Sequence, residues 1–267
     1  MALRRVLIAN RSEIALRVVR ACRELELESV AVYSTADESA LHVREADHAV
    51  CIGKPAARQS YLSIEALLEA ARSAEADAVH PGYGFLAENA AFARACADAG
   101  LVWVGPSAEA IERMGDKAAA RELARAAGVP VVPGTPGTVD AGEAAAVAEE
   151  LGYPVMVKAA GGGGGRGIRV VREASEVSDA VDGAAREADA AFGNPALYVE
   201  KVIERARHVE VQVIADTHGS AVHLFERDCS IQRRRQKLLE ESPSPGLDSG
   251  VRSEMAAAAV RLAEHAG

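Results

Sequence analysis

The stretch Val157-Lys158-Ala-Ala-Gly161-Gly-Gly-Gly-Gly165-Arg166-Gly167 joins an apolar, strand-like segment that carries a lysine to a run of glycines. Glycine has no Cβ, so backbone N–H groups in such a run can approach phosphate oxygens closely and adopt positive φ angles. Lys158 adds a positive charge beside them. The stretch therefore predicts a lid over a nucleotide triphosphate, with a flexible linker as the alternative. Its spacing differs from GxxxxGK[ST], which argues against a P-loop.

The elements around this stretch predict an α+β domain without internal repeats. Periodicity predicts helices over residues 141–151, 173–190 and 251–266, and strands over 154–159, 168–171 and 197–202. Two alternating strands, 207–215 and 221–227, flank the turn residues Asp216-Thr-His-Gly219 and predict an antiparallel hairpin.

The first half of the chain alternates short β-branched runs with alanine-rich amphipathic stretches. The predicted strands are 6–9, 29–33, 77–80 and 101–104, and the predicted helices are 12–25, 64–74 and 88–99. Such alternation indicates parallel strands with crossover helices. The first strand leads into Asn10-Arg-Ser-Glu13 instead of GxGxxG, which counts against dinucleotide binding. Two helices, 108–114 and 116–127, and a turn-rich linker, 128–138, follow, so we expect a domain boundary near Arg113.

Composition limits the classes of ligand and location. The chain has 267 residues, of which 49% are hydrophobic and 26% charged, enough for one large or two modest globular domains. A net charge of −9 argues against nucleic-acid binding. No apolar run is long enough to span a membrane, and the start has no secretory segment, so we expect a cytoplasmic protein. Cys22, Cys51, Cys96 and Cys229 form no CxxC pair, which predicts buried free thiols and no zinc site.

Four further segments are candidate sites. His80–Asn89 bends at the carboxyl end of a strand, where open parallel sheets bind ligands, although a structural turn is equally consistent. Glu200–Ile203 ends a strand whose backbone could bind an adenine, and a solvated strand end is the alternative. Residues 226–237 contain four arginines and a lysine, suited to bicarbonate or a transferring phosphate, against a partner surface as the alternative. Lys117 opens a helix, which is mildly unfavourable unless an anion binds there, and an ordinary exposed lysine is the alternative.

Six segments in order resemble the biotin carboxylase family of ATP-grasp enzymes. They are IANRSEIALRVVRAC, HPGYGFLAENA, GPSAEAIERMGDK, KAAGGGGGRGIRVV, YVEKVIERARHVEVQV and ERDCSIQRRRQKLLEESPSPG, and the match runs from about residue 4 to the final residue. The resemblance implies an α/β fold: a Rossmann-like pre-ATP-grasp domain over residues 1–113, then an incomplete ATP-grasp domain over 114–267 with a glycine-rich lid at about 130–204. It also implies the conversion of ATP, bicarbonate and carrier-bound biotin to ADP, phosphate and carboxybiotin through carboxyphosphate.

The resemblance also assigns roles to individual residues. Lys117 and Lys158 would hold ATP phosphates, Gly164 and Gly165 would close over them, and Glu200, Lys201, Val202 and Ile203 would frame the adenine. His208, Gln232 and Arg235 would line the nucleotide pocket, Lys237 would bind bicarbonate, and Tyr83 and Gly84 would approach biotin. A biotin carboxyl carrier protein or domain, a carboxyltransferase and a homodimer through the first domain are the implied partners.

Two positions depart from the family pattern, and some groups are expected beyond Gly267. Ser12 stands where the family usually has glycine, and Arg235 stands where many relatives have histidine in contact with the nucleotide. The magnesium-binding glutamates, the glutamate base and an arginine near biotin belong to later sequence in the family, so we expect no metal ligand within residues 1–267 and no complete reaction from them alone.

Two other functions remain open on the sequence. One is a non-catalytic nucleotide-binding or subunit-pairing module, for which Arg20 and Glu24 match positions at the family's dimer contact; an i,i+4 surface pair is the alternative. The other is a different ATP-grasp ligase that activates bicarbonate, such as a carbamoyl-phosphate synthetase. The final acyl acceptor, whether an acyl-CoA, pyruvate or urea, is chosen by a carboxyltransferase.

Overall fold

The computed structural model describes residues 3–135, 137–160, 168–233 and 236–267, with the side chains of residues 117, 118, 141 and 192 outside this description. Contacts divide the chain into two compact units, Met1–Glu112 and Arg113–Gly267. Among the described residues, no helix has the length and apolar character needed to cross a membrane.

The first unit is built on a parallel sheet with strand order β3-β2-β1-β4-β5. The strands are Arg5–Ile8 (β1), Glu28–Ser34 (β2), His48–Gly53 (β3), Ala78–His80 (β4) and Val102–Trp103 (β5). The helices are Ser12–Glu24 (α1), Leu41–Glu45 (α2), Ile64–Ser73 (α3), Ala90–Asp98 (α4) and Ala108–Gly115 (α5), which crosses the unit boundary. This confirms the predicted α/β alternation. The strand order reverses between β1 and β4, so the carboxyl ends of these two strands form the switch point at which such sheets bind ligands.

The central strands β1, β2 and β4 are buried on both faces, which explains their largely apolar sequences. Successive side chains of a strand point to opposite faces. Val6 and Ile8 therefore pack with α1, whereas Leu7 packs on the other face in a cluster that includes Tyr61 and Phe92.

The second unit contains two antiparallel sheets, with strand orders β7-β6-β8 and β11-β10-β9. The strands are Val155–Ala159 (β6), Ile168–Val171 (β7), Leu197–Lys201 (β8), Val209–Ala215 (β9), Ala221–Arg233 (β10) and Gln236–Glu241 (β11). The helices are Lys117–Ala126 (α6), Ala141–Leu151 (α7), Val177–Phe192 (α8) and Ser249–Ala266 (α9). The predicted hairpin is confirmed, because β9 and β10 pair on either side of Asp216–Gly219.

Several sequence predictions were wrong in detail. Strand β3, helix α2 and strand β11 were not predicted, and β10 continues to Arg233 instead of ending at Arg227. The prediction that all four thiols are buried fails at Cys51, which is exposed on the edge strand β3. An edge strand has a neighbour on one side only, so its side chains are less completely covered.

Ser12 adopts a left-handed backbone with a φ of 58° at the start of α1. A serine at this φ costs about 1 kcal/mol relative to glycine, which has no Cβ to crowd the carbonyl. The turn from β1 into α1 therefore forms with a serine in a conformation that glycine adopts at lower cost.

A hydrogen-bonded network around Asp37 fixes the ends of β1 and β2. The Asp37 carboxylate accepts hydrogen bonds from the Arg11 guanidinium, the Tyr61 hydroxyl at 2.6 Å and the Ser34 hydroxyl at 2.9 Å. The Tyr61 oxygen in turn accepts the Ser34 N–H at 2.9 Å. The hydrogen bond from Arg11 is the main reason that the pKa of Asp37 falls to about 2.

We expect Asp37 to make the stability of the first unit depend on pH. Its folded-state pKa of about 2 lies below the ordinary 3.8. Its contribution of about 2 kcal/mol is therefore present above about pH 4 and is lost as the pH falls toward about 2. Urea unfolding of the chain, followed by Trp103 fluorescence, should show this loss in the parent and not in Asp37→Asn. The exposed control Asp98→Asn should keep the parental pH dependence, and an unchanged profile in Asp37→Asn would contradict the assignment.

Candidate functional site

Asn10 holds the loop that follows β4 against the loop that follows β1. Its side chain is buried, with 3% of the residue exposed. The amide donates hydrogen bonds to the carbonyls of Pro81 at 2.8 Å and Tyr83 at 2.7 Å, and its oxygen accepts the Arg11 N–H at 2.9 Å. One buried side chain thus fixes the backbone of Pro81–Tyr83 at the switch point of the sheet.

The predicted biotin residues, Tyr83 and Gly84, lie in this loop. Tyr83 is 62% exposed and its hydroxyl donates to Glu13 at 2.8 Å. Gly84 has a φ of +68° and open space where a Cβ would lie. Burial lowers the pKa of His80, and its Nδ1 accepts the Gly82 N–H at 3.0 Å, so the neutral ring carries its proton on Nε2.

Glycine substitutions should separate the clamped part of the loop from the open part. Gly82 has a φ of +64°, and a Cβ there would lie 2.9 Å from both Asn10 Nδ2 and Ile14 Cγ1. We expect Gly82→Ala to destabilise by about 2 kcal/mol or more, through backbone strain and overlap. The matched control Gly84→Ala has only the backbone strain, so about 1 kcal/mol is expected. Thermal unfolding of both variants tests this, and equal losses would argue against the clamp.

In the second unit, a carboxylate pairs with two cations at the end of the β6–β8 pairing. Glu200 on β8 is buried, and its carboxylate accepts hydrogen bonds from Arg121 Nη1 at 2.6 Å and from Lys158 Nζ. Lys158 lies on β6 opposite Tyr198, with its ammonium 5.8 Å from the centre of that ring. The structure therefore brings together Lys158 and Glu200, which the sequence predicted as separate parts of a nucleotide site.

The backbone after Glu200 includes one amide that no described residue pairs with. The amides of Lys201 and Val202 donate to the carbonyls of Pro133 at 2.9 Å and Pro154 at 3.1 Å. The Ile203 amide has no hydrogen-bond partner within the part of the chain that the structure describes. Ile203 is 58% exposed, so an adenine edge could reach this N–H. The Lys201 ammonium is bound to the carbonyls of Gly152 and Tyr153 and has a structural role.

Lys237 on β11 forms an ion pair with Glu210 on β9, and Glu210 also accepts a hydrogen bond from Arg227 at 2.6 Å. Burial alone would raise the pKa of Glu210, but the hydrogen bonds from Lys237 and Arg227 lower it. The hydrogen bond between Lys237 and Glu210 raises the pKa of Lys237. The arginine-rich segment is therefore partly neutralised by Glu210, a residue that the sequence analysis did not single out.

The structure places some of the remaining predicted residues, and others lie outside the described part of the chain. Gln232 Nε2 donates to His208 Nδ1, so these two are in contact across β10 and the segment before β9. Lys117 is the first residue of α6, and its side chain lies outside the described residues. Gly164, Gly165 and Arg235 also lie outside them. Arg20 and Glu24 are exposed and make no ion pair within the described residues, which argues against the surface-pair alternative.

One group of potential metal ligands occurs among the described residues. Atoms of Glu210, Cys229 and Glu240 lie within 4.8 Å of one another. Arg227 and Lys237 already neutralise the two carboxylates, and burial raises the pKa of the Cys229 thiol. This arrangement is better described as an ion-pair network than as a metal centre.

Glu210 should control the charge of Lys237. Replacing it in Glu210→Gln removes the carboxylate that raises the pKa of Lys237, so we expect that pKa to fall. The matched control is Glu240→Gln, which removes a carboxylate paired with Arg227. NMR titration of isotopically methylated lysines is practical because the chain has five. A pKa of Lys237 that is unchanged in Glu210→Gln, or that falls equally in Glu240→Gln, would contradict this role.

Comparison with known proteins gives the same assignment along both units. The family model of the biotin carboxylase N-terminal domain matches residues 2–111, and that of the carbamoyl-phosphate synthase L chain ATP binding domain matches residues 116–267. Biotin carboxylase 1 of Bacillus subtilis is 55% identical over 99% of this chain.

Two solved structures are also similar over the whole chain. The biotin carboxylase of Campylobacter jejuni, described as a β,γ-ATP complex, has a TM-score of 0.93 and 48% identity. The biotin carboxylase domain dimer of 2-oxoglutarate carboxylase from Hydrogenobacter thermophilus, in complex with MgADP, ADP and bicarbonate, has a TM-score of 0.88 and 46% identity. The chain spans 59% of the Bacillus protein and 60% and 59% of the two crystallised chains.

Proposed function

Because this chain belongs to the biotin carboxylase family, we propose that it forms the N-terminal part of an enzyme that carboxylates carrier-bound biotin with ATP and bicarbonate. In this reaction bicarbonate takes the terminal phosphoryl group of ATP to give carboxyphosphate and ADP. Transfer of the carboxyl group to biotin then releases phosphate. The observation that carries the proposal is the position of Lys158, which lies near the end of β6, three residues before the glycine run begins, and in contact with Glu200.

The proposed roles of the individual residues follow the resemblance of their motifs to the family. Lys117 and Lys158 bind the phosphates, with Gly164 and Gly165 closing over them. The segment Glu200–Ile203 binds the adenine, because the Ile203 amide is exposed and has no partner within the described residues. His208 and Gln232, together with Arg235, line the nucleotide pocket.

Lys237 is the proposed bicarbonate ligand. An ordinary lysine is already cationic in the neutral range, and the hydrogen bond to Glu210 raises the pKa of Lys237 further. An anion can then bind through the remaining N–H groups, since an ammonium has three donors. Bound Mg²⁺ would supply further neutralisation of the phosphate oxygens.

Tyr83 and Gly84 are the proposed biotin contacts in the first unit. The Asn10 clamp holds the adjoining backbone, so a flat ring can pack on a surface that is already in place. We also propose that the intact protein acts with a biotin carrier protein or domain, a carboxyltransferase and a second copy of itself.

The residue ranges of the proposed domains follow from the resemblance to the family. We propose a first domain over residues 1–113 and an ATP-grasp domain over 114–267, with the lid at about 130–204.

Carbamoyl-phosphate synthesis also activates bicarbonate, and its ATP-binding family model matches residues 116–267. ATP turnover by the intact protein that needs bicarbonate but not biotin would favour that alternative.

Replacement of Lys158 should weaken ATP binding selectively. We expect Lys158→Ala to lose ATP affinity at least about tenfold, since a charge-assisted hydrogen bond is worth about 1.5–3 kcal/mol. Adenosine affinity should change little, because adenosine has no phosphate. The matched control is Lys54→Ala, an exposed lysine of the first unit. Calorimetric titration of the intact protein measures both ligands, and ATP binding as tight as in the parent would contradict the phosphate role.

A further inference from the structure

The cluster formed by Arg121, Lys158 and Glu200 carries two positive charges and one negative charge. All three side chains are substantially buried, with exposed fractions of 14%, 24% and 11% respectively. Each cation uses a different oxygen of the carboxylate, Oε1 for Arg121 and Oε2 for Lys158. The net charge is therefore positive in a region that is partly shielded from water, where a charge has a stronger effect than at the surface.

Arg121 is fixed by contacts on two sides. Its Nη1 donates to Glu200, and its Nη2 donates to the Val132 carbonyl at 2.7 Å. Its Nε is buried and has no hydrogen-bond partner within the described residues. The guanidinium thus links α6 to β8 and to the backbone at Val132.

The position of Arg121 along the chain connects it with both proposed phosphate ligands. It lies one turn after Lys117 on α6, and through Glu200 it is linked to Lys158 on β6. The segment after Val132 packs tightly on β8, since a Cβ at Gly134 would lie 2.5 Å from the Val199 carbonyl oxygen. Because Arg121 donates to both Val132 in this segment and Glu200 on β8, a displacement of Arg121 would change the position of the Glu200 carboxylate.

We propose that Arg121 is a positioning residue for ATP, acting through Glu200 on Lys158. By holding one carboxylate oxygen, Arg121 limits the neutralisation of Lys158 and keeps the cluster net positive for the incoming phosphates. Without Arg121, Glu200 and Lys158 form a neutral one-to-one pair, and phosphate must compete with the whole carboxylate for the ammonium. The inference rests on the proposed role of Lys158 in binding phosphate.

The test compares ATP with adenosine in the intact protein by calorimetric titration. We expect Arg121→Ala to weaken ATP binding about tenfold or more while adenosine affinity stays within about twofold, as one lost charge–charge contact implies. Arg121→Lys should recover part of the loss because it restores the positive charge. Arg121→Gln keeps a donor without the charge, so it should resemble Arg121→Ala and also serves if the alanine variant does not fold. The matched control is Arg125→Ala, an exposed arginine on the same helix, which should behave as the parent.

A merely structural role predicts different results. If adenosine and ATP affinities fall together in Arg121→Gln, or if ATP affinity is unchanged, the proposal is overturned. Arg121→Gln and Lys158→Ala should also combine to less than the sum of their separate effects, because both act on the same ammonium. Additive effects would overturn the route through Lys158.

The two levels of proposal fail in distinguishable ways. ATP affinity that is unchanged in Lys158→Ala contradicts the phosphate role of Lys158 and the proposed nucleotide site. A large loss in Lys158→Ala with none in the Arg121 variants contradicts only the positioning role of Arg121.

Discussion

The buried carboxylate of Glu200 is the constraint on which the candidate nucleotide site depends. A carboxylate removed from water needs charged or hydrogen-bonding partners, since an unpaired buried charge is strongly destabilising. Glu200 obtains them from a helix, through Arg121, and from the neighbouring strand, through Lys158. The same requirement that stabilises the carboxylate therefore holds a lysine at the start of the glycine run. A substitution of Arg121, Lys158 or Glu200 would therefore change both the packing of these elements and the charge of the site.

In the first unit, a few buried polar side chains satisfy the hydrogen-bonding groups of the loops. The edge of its sheet at the carboxyl ends of β1 and β4 is made of loops, whose backbone polar groups need partners where they are buried. Asn10 satisfies two carbonyls of the loop after β4, and Asp37 gathers Arg11, Tyr61 and Ser34 at the ends of β1 and β2. Tyr61 stacks on Phe85 at a ring distance of 5.1 Å, which extends this support into the loop that carries Tyr83 and Gly84. The loop that carries the exposed residue Tyr83 is thus held by buried hydrogen bonds from Asn10 and by the aromatic contact between Tyr61 and Phe85.

The positive charges of this acidic chain are locally concentrated at the two candidate anion sites. The chain has a net charge of −9, yet the candidate anion sites hold Lys158 with Arg121 and Lys237 with Arg227. In both cases one glutamate accepts from two cations, which stabilises closely spaced cations in the absence of an anion. The Arg121–Lys158–Glu200 cluster keeps a net positive charge, whereas Glu240 also pairs with Arg227 and balances the charge of the Lys237 cluster.

The sequence by itself determined the α/β class of the first unit, the α+β class of the second, the β9–β10 hairpin and the family. Periodicity, turn residues and the order of the motifs are local properties that can be read along the chain. It did not predict β11, because every residue of Gln236–Glu241 is exposed and the segment has no apolar alternation that would mark a buried face. It also did not predict β3, an edge strand on which Cys51 is exposed. Only the tertiary structure decided that Arg121, 79 residues from Glu200, shares that carboxylate with Lys158, and that Glu210 pairs with Lys237. Ion pairs join residues that are distant in sequence, and the physical requirement to neutralise a buried charge does not specify which helix or strand supplies the partner.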